Sequence, residues 1–195
     1  MHVLSFPRPL MDVLETRLEG LALLAPAVHG DERGFFVETY REEAWSAAGV
    51  TGPFVQDNQS RSRRGTVRGI HFQTSPGQGK LVRCARGTVW DVVVDLRRGS
   101  ETFGEWEAVE LDDTRGHQLW IPVGFGHGFC VLSQTADFVY KCTNYYDAAT
   151  EAGISFDDPA VGIEWPLPRE ELLFSDRDRD APALAELADE LPFTV

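Results

Sequence analysis

Arg68, His71 and Lys80 fall within thirteen residues of one another, in a segment that reads as a strand, Val67-Arg68-Gly69-Ile70-His71-Phe72-Gln73, followed by a glycine-rich turn. Alternating apolar and neutral side chains are the usual content of a strand. A guanidinium, an imidazole and an ammonium group there point instead to an anionic ligand and to proton transfer at His71. Regular alternation would put Arg68 and His71 on opposite faces. Gly69 between them suits a bulge, and one bulge would swing both to the same side.

Three further segments add polar groups of the same kind. His127 lies between glycines in Ile121-Pro122-Val123-Gly124-Phe125-Gly126-His127-Gly128-Phe129, where the backbone can approach a ligand closely. In Phe138 to Tyr146, alternation puts Tyr140, Asn144 and Tyr146 on one face; a phenol can donate a proton and an aromatic ring can stack on a base, although tyrosine is also an ordinary strand residue. In Phe54 to Ser60, Gln56 and Asn58 share a side, which suits recognition of hydroxyls or an amide-bearing ring, although a solvated edge strand has the same pattern. The tail Phe174-Ser175-Asp176-Arg177-Asp178-Arg179-Asp180 reads as a solvated charged loop, yet one of its aspartates could fix the tautomer of His71.

The elements that must position these groups are short and β-rich. Runs at Leu21–Val28, Gly34–Tyr40, Phe54–Ser60, Thr66–Phe72, Lys80–Ala85, Thr88–Leu96, Trp106–Leu111, Gln118–Ile121, Gly128–Leu132 and Phe138–Tyr146 alternate with turn signals such as Ser75-Pro76-Gly77 and Arg98-Gly99-Ser100. The expected fold is all-β, a jelly-roll β-sandwich with small peripheral helices at Glu42–Ala48 and Ala183–Leu191. In the second helix Leu184, Leu187 and Leu191 share a face. A chain of 195 residues supports one domain, here residues 18–195, preceded by an N-terminal arm, residues 1–17.

Composition narrows the partners. A formal charge of −13 disfavours nucleic acid and anionic membranes, which are bound through broad basic surfaces, while leaving room for a small anion held by a few local cations. No apolar run approaches a membrane span and no signal-peptide pattern opens the chain, so a cytoplasmic protein is expected. Cys84, Cys130 and Cys142 form no paired motif and read as buried, reduced thiols. No metal is expected either. Histidine strands of a jelly roll suggest the cupin ligand set, but Gln73 follows His71 where a second histidine would be needed.

Taken in order, His29 to Phe36, Phe54 to Ser60, Arg68 to Gln73, Lys80 to Cys84, Asp95 to Arg97, Thr102 to Gly104, Ile121 to Phe129, Tyr140 to Tyr146 and Ile163 to Pro166 closely resemble the dTDP-4-dehydrorhamnose 3,5-epimerase family over residues 18–185. The resemblance implies a cofactor-free, cupin-like enzyme, usually a homodimer, acting on dTDP-4-dehydro-6-deoxyglucose. Its 4-keto group acidifies the C3 and C5 protons. By that resemblance His71 is the base, Asp178 its carboxylate partner, Lys80 the stabiliser of the enolate oxygen and Tyr140 the acid on the opposite face. Arg33 and Arg68 would hold the diphosphate. Glu38, Gln56, Asp57 and Asn58 would shape the nucleotide site, with Phe35, Glu151 and Arg177 as further binding positions. Tyr146 would stack on thymine and His127 would line the sugar pocket. The chain departs from the family at Arg177, commonly lysine, and at Phe156, commonly tryptophan.

Other outcomes compete with inversion at both carbons. Relatives that invert C3 alone or C5 alone keep the same base and acid. A sugar-nucleotide ketoisomerase also occurs on this architecture, but the presence of both Tyr140 and Asp178 points away from it. A module that only binds nucleotide sugar would carry a cleft with broken acid and base positions.

Overall fold

The structure, a computed structural model, describes residues 10–195. Its strands are β1 (Met11–Leu14), β2 (Ala22–Pro26), β3 (Val28–Asp31), β4 (Gly34–Val37), β5 (Gln56–Arg63), β6 (Val67–Gln73) and β7 (Lys80–Arg86). They continue with β8 (Thr88–Asp95), β9 (Trp106–Asp112), β10 (Gln118–Ile121), β11 (Phe125–Val131), β12 (Thr135–Cys142) and β13 (Glu151–Gly153). Three short helices, α1 (Glu42–Ala47), α2 (Asp176–Arg179) and α3 (Leu184–Leu187), lie around them.

Two antiparallel sheets face one another as the expected jelly roll. One runs β1-β2-β10-β7-β12-β5 and the other β13-β6-β11-β8-β9, while β3 and β4 form a separate hairpin. The apolar side chains between them include Val82, Cys84, Leu119 and Phe138 from the first sheet and Val89, Val93, Leu111 and Phe129 from the second. Burial of each such side chain contributes about 1.5–3 kcal/mol. The outer face of the second sheet is also covered, by Ile154, Val161, Leu184, Leu191 and Phe193 of the C-terminal chain. That double coverage explains why β8 reads as nearly continuous valine rather than as an alternating strand.

Several boundaries move. Residues 11–14, placed in the N-terminal arm from sequence, pair with β2 as an edge strand, and residues 1–9 of that arm lie outside the described residues. The last apolar run shifts: β12 begins at Thr135 and ends at Cys142, because the chain turns where the Thr143 amide donates to the Gly79 carbonyl. Asn144 and Tyr146 therefore do not continue the alternation of Tyr140. Regular helix covers only Leu184–Leu187 of the expected Ala183–Leu191, yet Leu184, Leu187 and Leu191 still pack into one cluster. Among the described residues no helix is long and apolar enough to cross a membrane. The cysteines are free and buried, and burial pushes Cys84 up to about 12 and Cys142 up to about 11.

Candidate active site

The decisive local feature is in β6. Its pairing with β11 matches His71 to His127 and Arg68 to Phe129, so three residues of advance on β6 oppose two on β11. The extra residue is a bulge at Gly69. Gly69 takes φ 134°, and a Cβ there would stand 2.4 Å from the Gly128 Cα and 2.8 Å from the His127 carbonyl oxygen. Only glycine fits. The bulge turns Arg68 to the side of His71, and both line one cavity of about 570 Å³ between the sheets.

His71 projects from the five-stranded sheet into this cavity. Its Nε2 lies 2.6 Å from Asp178 Oδ1, which leaves Nδ1 for proton transfer. Asp178 is buried in α2 and is positioned by its own helix start: the Ser175 hydroxyl donates to Asp178 Oδ2 at 2.8 Å, and the Asp178 amide donates back to that hydroxyl at 3.1 Å. Burial pushes the Asp178 carboxyl up, but the His71 hydrogen bond and charge, with the Ser175 donors, outweigh it and hold the group below the usual value. A carboxylate in that state is an orienting partner for imidazole.

Tyr140 and Lys80 come from the opposite sheet. Tyr140 on β12 sits beside Phe138, and burial, with the surrounding charges, raises its phenol above the ordinary value, so it is fully protonated at neutral pH. Lys80 opens β7, and burial lowers its ammonium group. Among the described residues Lys80 has no salt-bridge partner, an arrangement that favours an incoming anion. The cavity mouth carries Arg63, Arg68 and Arg177. Arg177 donates to Glu151 Oε2 at 2.6 Å, and the Tyr146 hydroxyl donates to the same oxygen at 2.7 Å, leaving the half-exposed Tyr146 ring open for stacking.

Of the residues singled out from sequence, His71, Asp178, Lys80, Tyr140, Arg68, His127, Tyr146, Glu151 and Arg177 surround this one cavity. Gln56 and Asn58 stand just beside it. The Gln56 side-chain Oε1 accepts from the Tyr146 backbone amide at 2.9 Å, and the Asn58 side-chain Nδ2 approaches Cys142 Sγ at 3.6 Å. Asp57 faces outward and pairs with Lys141 at 2.8 Å. Arg33, Phe35 and Glu38 are not brought to the cavity. Arg33 is bound to Asp31 on its own exposed hairpin, Phe35 is 60% exposed, and Glu38 pairs with Arg41.

Sequence reasoning passed over Arg63, Ser175 and Asp91. Ser175 was marked by the Ser-x-x-Asp spacing of a helix start. Asp91 was marked by its place: a carboxylate in the run Thr88-Val89-Trp90-Asp91-Val92-Val93, on the face that Val89 and Val93 send into the core. It is fully buried, and its Oδ2 lies 2.9 Å from His127 Nε2. Among the described residues no three histidine, cysteine or carboxylate side chains converge as a metal site.

Comparison with known proteins identifies the family. The family model described as dTDP-4-dehydrorhamnose 3,5-epimerase matches residues 15–186. A Shigella flexneri protein of that name is 48% identical over 170 residues, covering 86% of this chain and 93% of the relative. The Neisseria gonorrhoeae protein of that name is 50% identical over 163 residues; the match takes in 84% of this chain but only half of that longer relative. Among solved structures, dTDP-6-deoxy-D-glucose-3,5-epimerase from Legionella pneumophila, in complex with dTDP-4-keto-L-rhamnose, superposes with a TM-score of 0.91 at 44% identity, covering 95% of this chain and 98% of that one. The chain belongs to the dTDP-4-dehydrorhamnose 3,5-epimerase family.

Proposed function

We propose that the protein epimerises dTDP-4-dehydro-6-deoxy-D-glucose at C3 and C5, giving dTDP-4-dehydro-L-rhamnose. One observation carries the reading: His71 and Tyr140 approach the same cavity from opposing sheets. A sugar ring between them has a base on one face and an acid on the other. Removal of a proton from one face and its return to the other is inversion.

In each half of the reaction the His71 Nδ1 takes the proton from the carbon next to the keto group. The bonding pair moves toward C4 and its oxygen becomes an enolate. Lys80, which has no salt-bridge partner among the described residues, offsets that charge, which is the largest electrostatic demand of such a step. The Tyr140 hydroxyl then protonates the carbon from the far side, and solvent restores both groups. Asp178 keeps the imidazole oriented and stabilises its protonated form. Arg68, with Arg63 beside it, supplies the forked donors that suit a diphosphate.

Arg33 and Phe35 enter this scheme only if a second copy of the chain presents its β3–β4 hairpin to the cavity. Their exposure and their distance from their own site support a homodimer of that kind. The three buried free thiols fit a reducing cytoplasm.

The test is incubation with dTDP-4-dehydro-6-deoxyglucose in D₂O, followed by NMR. Deuterium at both C3 and C5 is expected. Label at one carbon would identify a mono-epimerase, and label at neither would overturn the assignment.

A further inference from the structure

The cavity contains a second histidine–carboxylate pair that the reaction above leaves without a task. His127 is the cross-strand neighbour of His71, so the two imidazoles stand side by side on the five-stranded sheet. His127 pairs along β8 with Val93, which makes Asp91, two residues back on the same face, its diagonal neighbour. Asp91 spends one oxygen on His127 Nε2, at 2.9 Å. Its other oxygen, Oδ1, is buried with no hydrogen-bond partner.

An unpaired buried carboxylate oxygen is costly unless a charge answers it. Lys80, which lines the same cavity with Arg63, Arg68 and Arg177, has the complementary defect, since among the described residues it has no carboxylate within salt-bridge reach. The groups that bear on Lys80 are Cys142 and Tyr140 on β12, Glu151 on β13, His71 on β6, His127 on β11, Asp178 on α2 and Asp91 on β8. Most of them are unavailable as counter-ions. The Cys142 thiol and the Tyr140 phenol are protonated at neutral pH. Glu151 is taken by Arg177 and Tyr146, and Asp178 by His71 and Ser175. Asp91 is left.

We infer that Asp91 is a positioning residue for the enolate end of the site: one oxygen fixes His127 with its Nδ1 toward the sugar, and the other keeps Lys80 an ammonium ion. His127 then acts as a second hydrogen-bonding group beside Lys80, and not as a second base. The inference rests on the proposed epimerase chemistry for its kinetic consequence, but its electrostatic half stands apart from it.

That half is directly measurable because the chain has only two lysines, Lys80 and Lys141. With lysine labelled at ¹³Cε, the protein gives two side-chain signals, and Lys80→Arg assigns them. In the wild type burial lowers the Lys80 pKa, and the group is nevertheless expected to stay charged across the pH range in which the enzyme works. In Asp91→Asn its midpoint should fall by about one pH unit or more, a tenfold loss of proton affinity, while Lys141 stays in place. A wild-type Lys80 that is already neutral in the pH range of activity, or a shift under about 0.3 units in the variant, overturns the inference.

The kinetic half uses the same variant. Asp91→Asn should lower kcat about 10²-fold with KM changed less than about 3-fold, and the alkaline limb of its pH profile should move down with the Lys80 midpoint. An unmoved limb would reduce Asp91 to a packing role and overturn the positioning role. If the wild type exchanges no deuterium into substrate, the epimerase reading fails while the lysine titration still decides the electrostatic claim.

Discussion

Asp178 keeps its charge in a buried place because two donors reach its carboxylate, the His71 imidazole and the Ser175 hydroxyl, whose oxygen in turn accepts from the Asp178 amide. Its lowered pKa means that its stabilising effect is complete above the ordinary carboxylate value of 3.8 and disappears as pH falls through the lower folded value. His71→Ala should abolish deuterium incorporation, a loss of about 10²–10⁴-fold or more, with the affinity for dTDP measured by calorimetry little changed. Normal exchange in that variant would remove His71 from the chemistry. Tyr140→Phe should separate two events: proton abstraction at His71 continues, seen as exchange of label with solvent, while net inversion falls about 10²-fold or more. Loss of both together would deny Tyr140 the role of acid. At this scale much was legible in the sequence, since His71, Lys80 and Tyr140 are polar groups on strands. The choice of Asp178 among its neighbouring aspartates came from the family resemblance and not from local pattern, because physically only the tertiary contact between α2 and β6 distinguishes it from Asp176 and Asp180.

At the scale of elements, two backbone devices hold the site and each has a measurable cost. The bulge at Gly69 is the reason Arg68 and His71 share a cavity, and the glycine sits against the Gly128 backbone. Gly69→Ala must therefore displace β6 from β11. We expect a loss of more than about 2 kcal/mol in urea unfolding and loss of activity beyond what the folded fraction explains. Wild-type stability with wild-type activity would mean that the bulge is not required. The second device is the turn after β8, where the buried Asp95 carboxylate accepts from the Arg97 guanidinium at 2.7 and 2.9 Å, from Ser100 at 2.6 Å and from Thr102 at 2.7 Å. Burial opposes that charge, but these donors prevail and set its pKa at about 2, against 3.8. The stabilisation is present in full above pH 3.8 and is lost as pH falls through about 2. Asp95→Asn should cost about 2 kcal/mol at pH 7, and the gap from wild type should close near the acid end; a gap constant with pH would contradict the linkage. Strand positions were readable from alternation and turn residues. The end of β12 was not, because Thr143, Tyr145 and Tyr146 are good strand formers, and the segment is held in a loop by Gly77, Gln78 and Gly79.

At the scale of the whole molecule, the β3–β4 hairpin is a surface that the fold does not use. The β3–β4 hairpin presents Phe35 at 60% and Phe36 at 69% exposure, with Arg33 paired only to Asp31 at its tip. The sequence marks Arg33 and Phe35 as substrate-binding by resemblance, yet a single chain does not bring them to its cavity, and no pattern within one chain can say that a side chain acts on another copy. If the hairpin works across a dimer, two inactive variants should repair each other. Arg33→Ala lacks the reaching guanidinium but keeps its base, and His71→Ala lacks the base but keeps a hairpin able to reach. Mixed in equal amounts and exchanged, about half of the dimers are hybrids, and each hybrid holds one complete site. Activity should recover to roughly a quarter of wild type, with light scattering reporting a dimer throughout. Arg33 acting within its own chain gives no recovery from the mixture. A monomer by light scattering, with the wild type still active, would detach the hairpin from catalysis altogether.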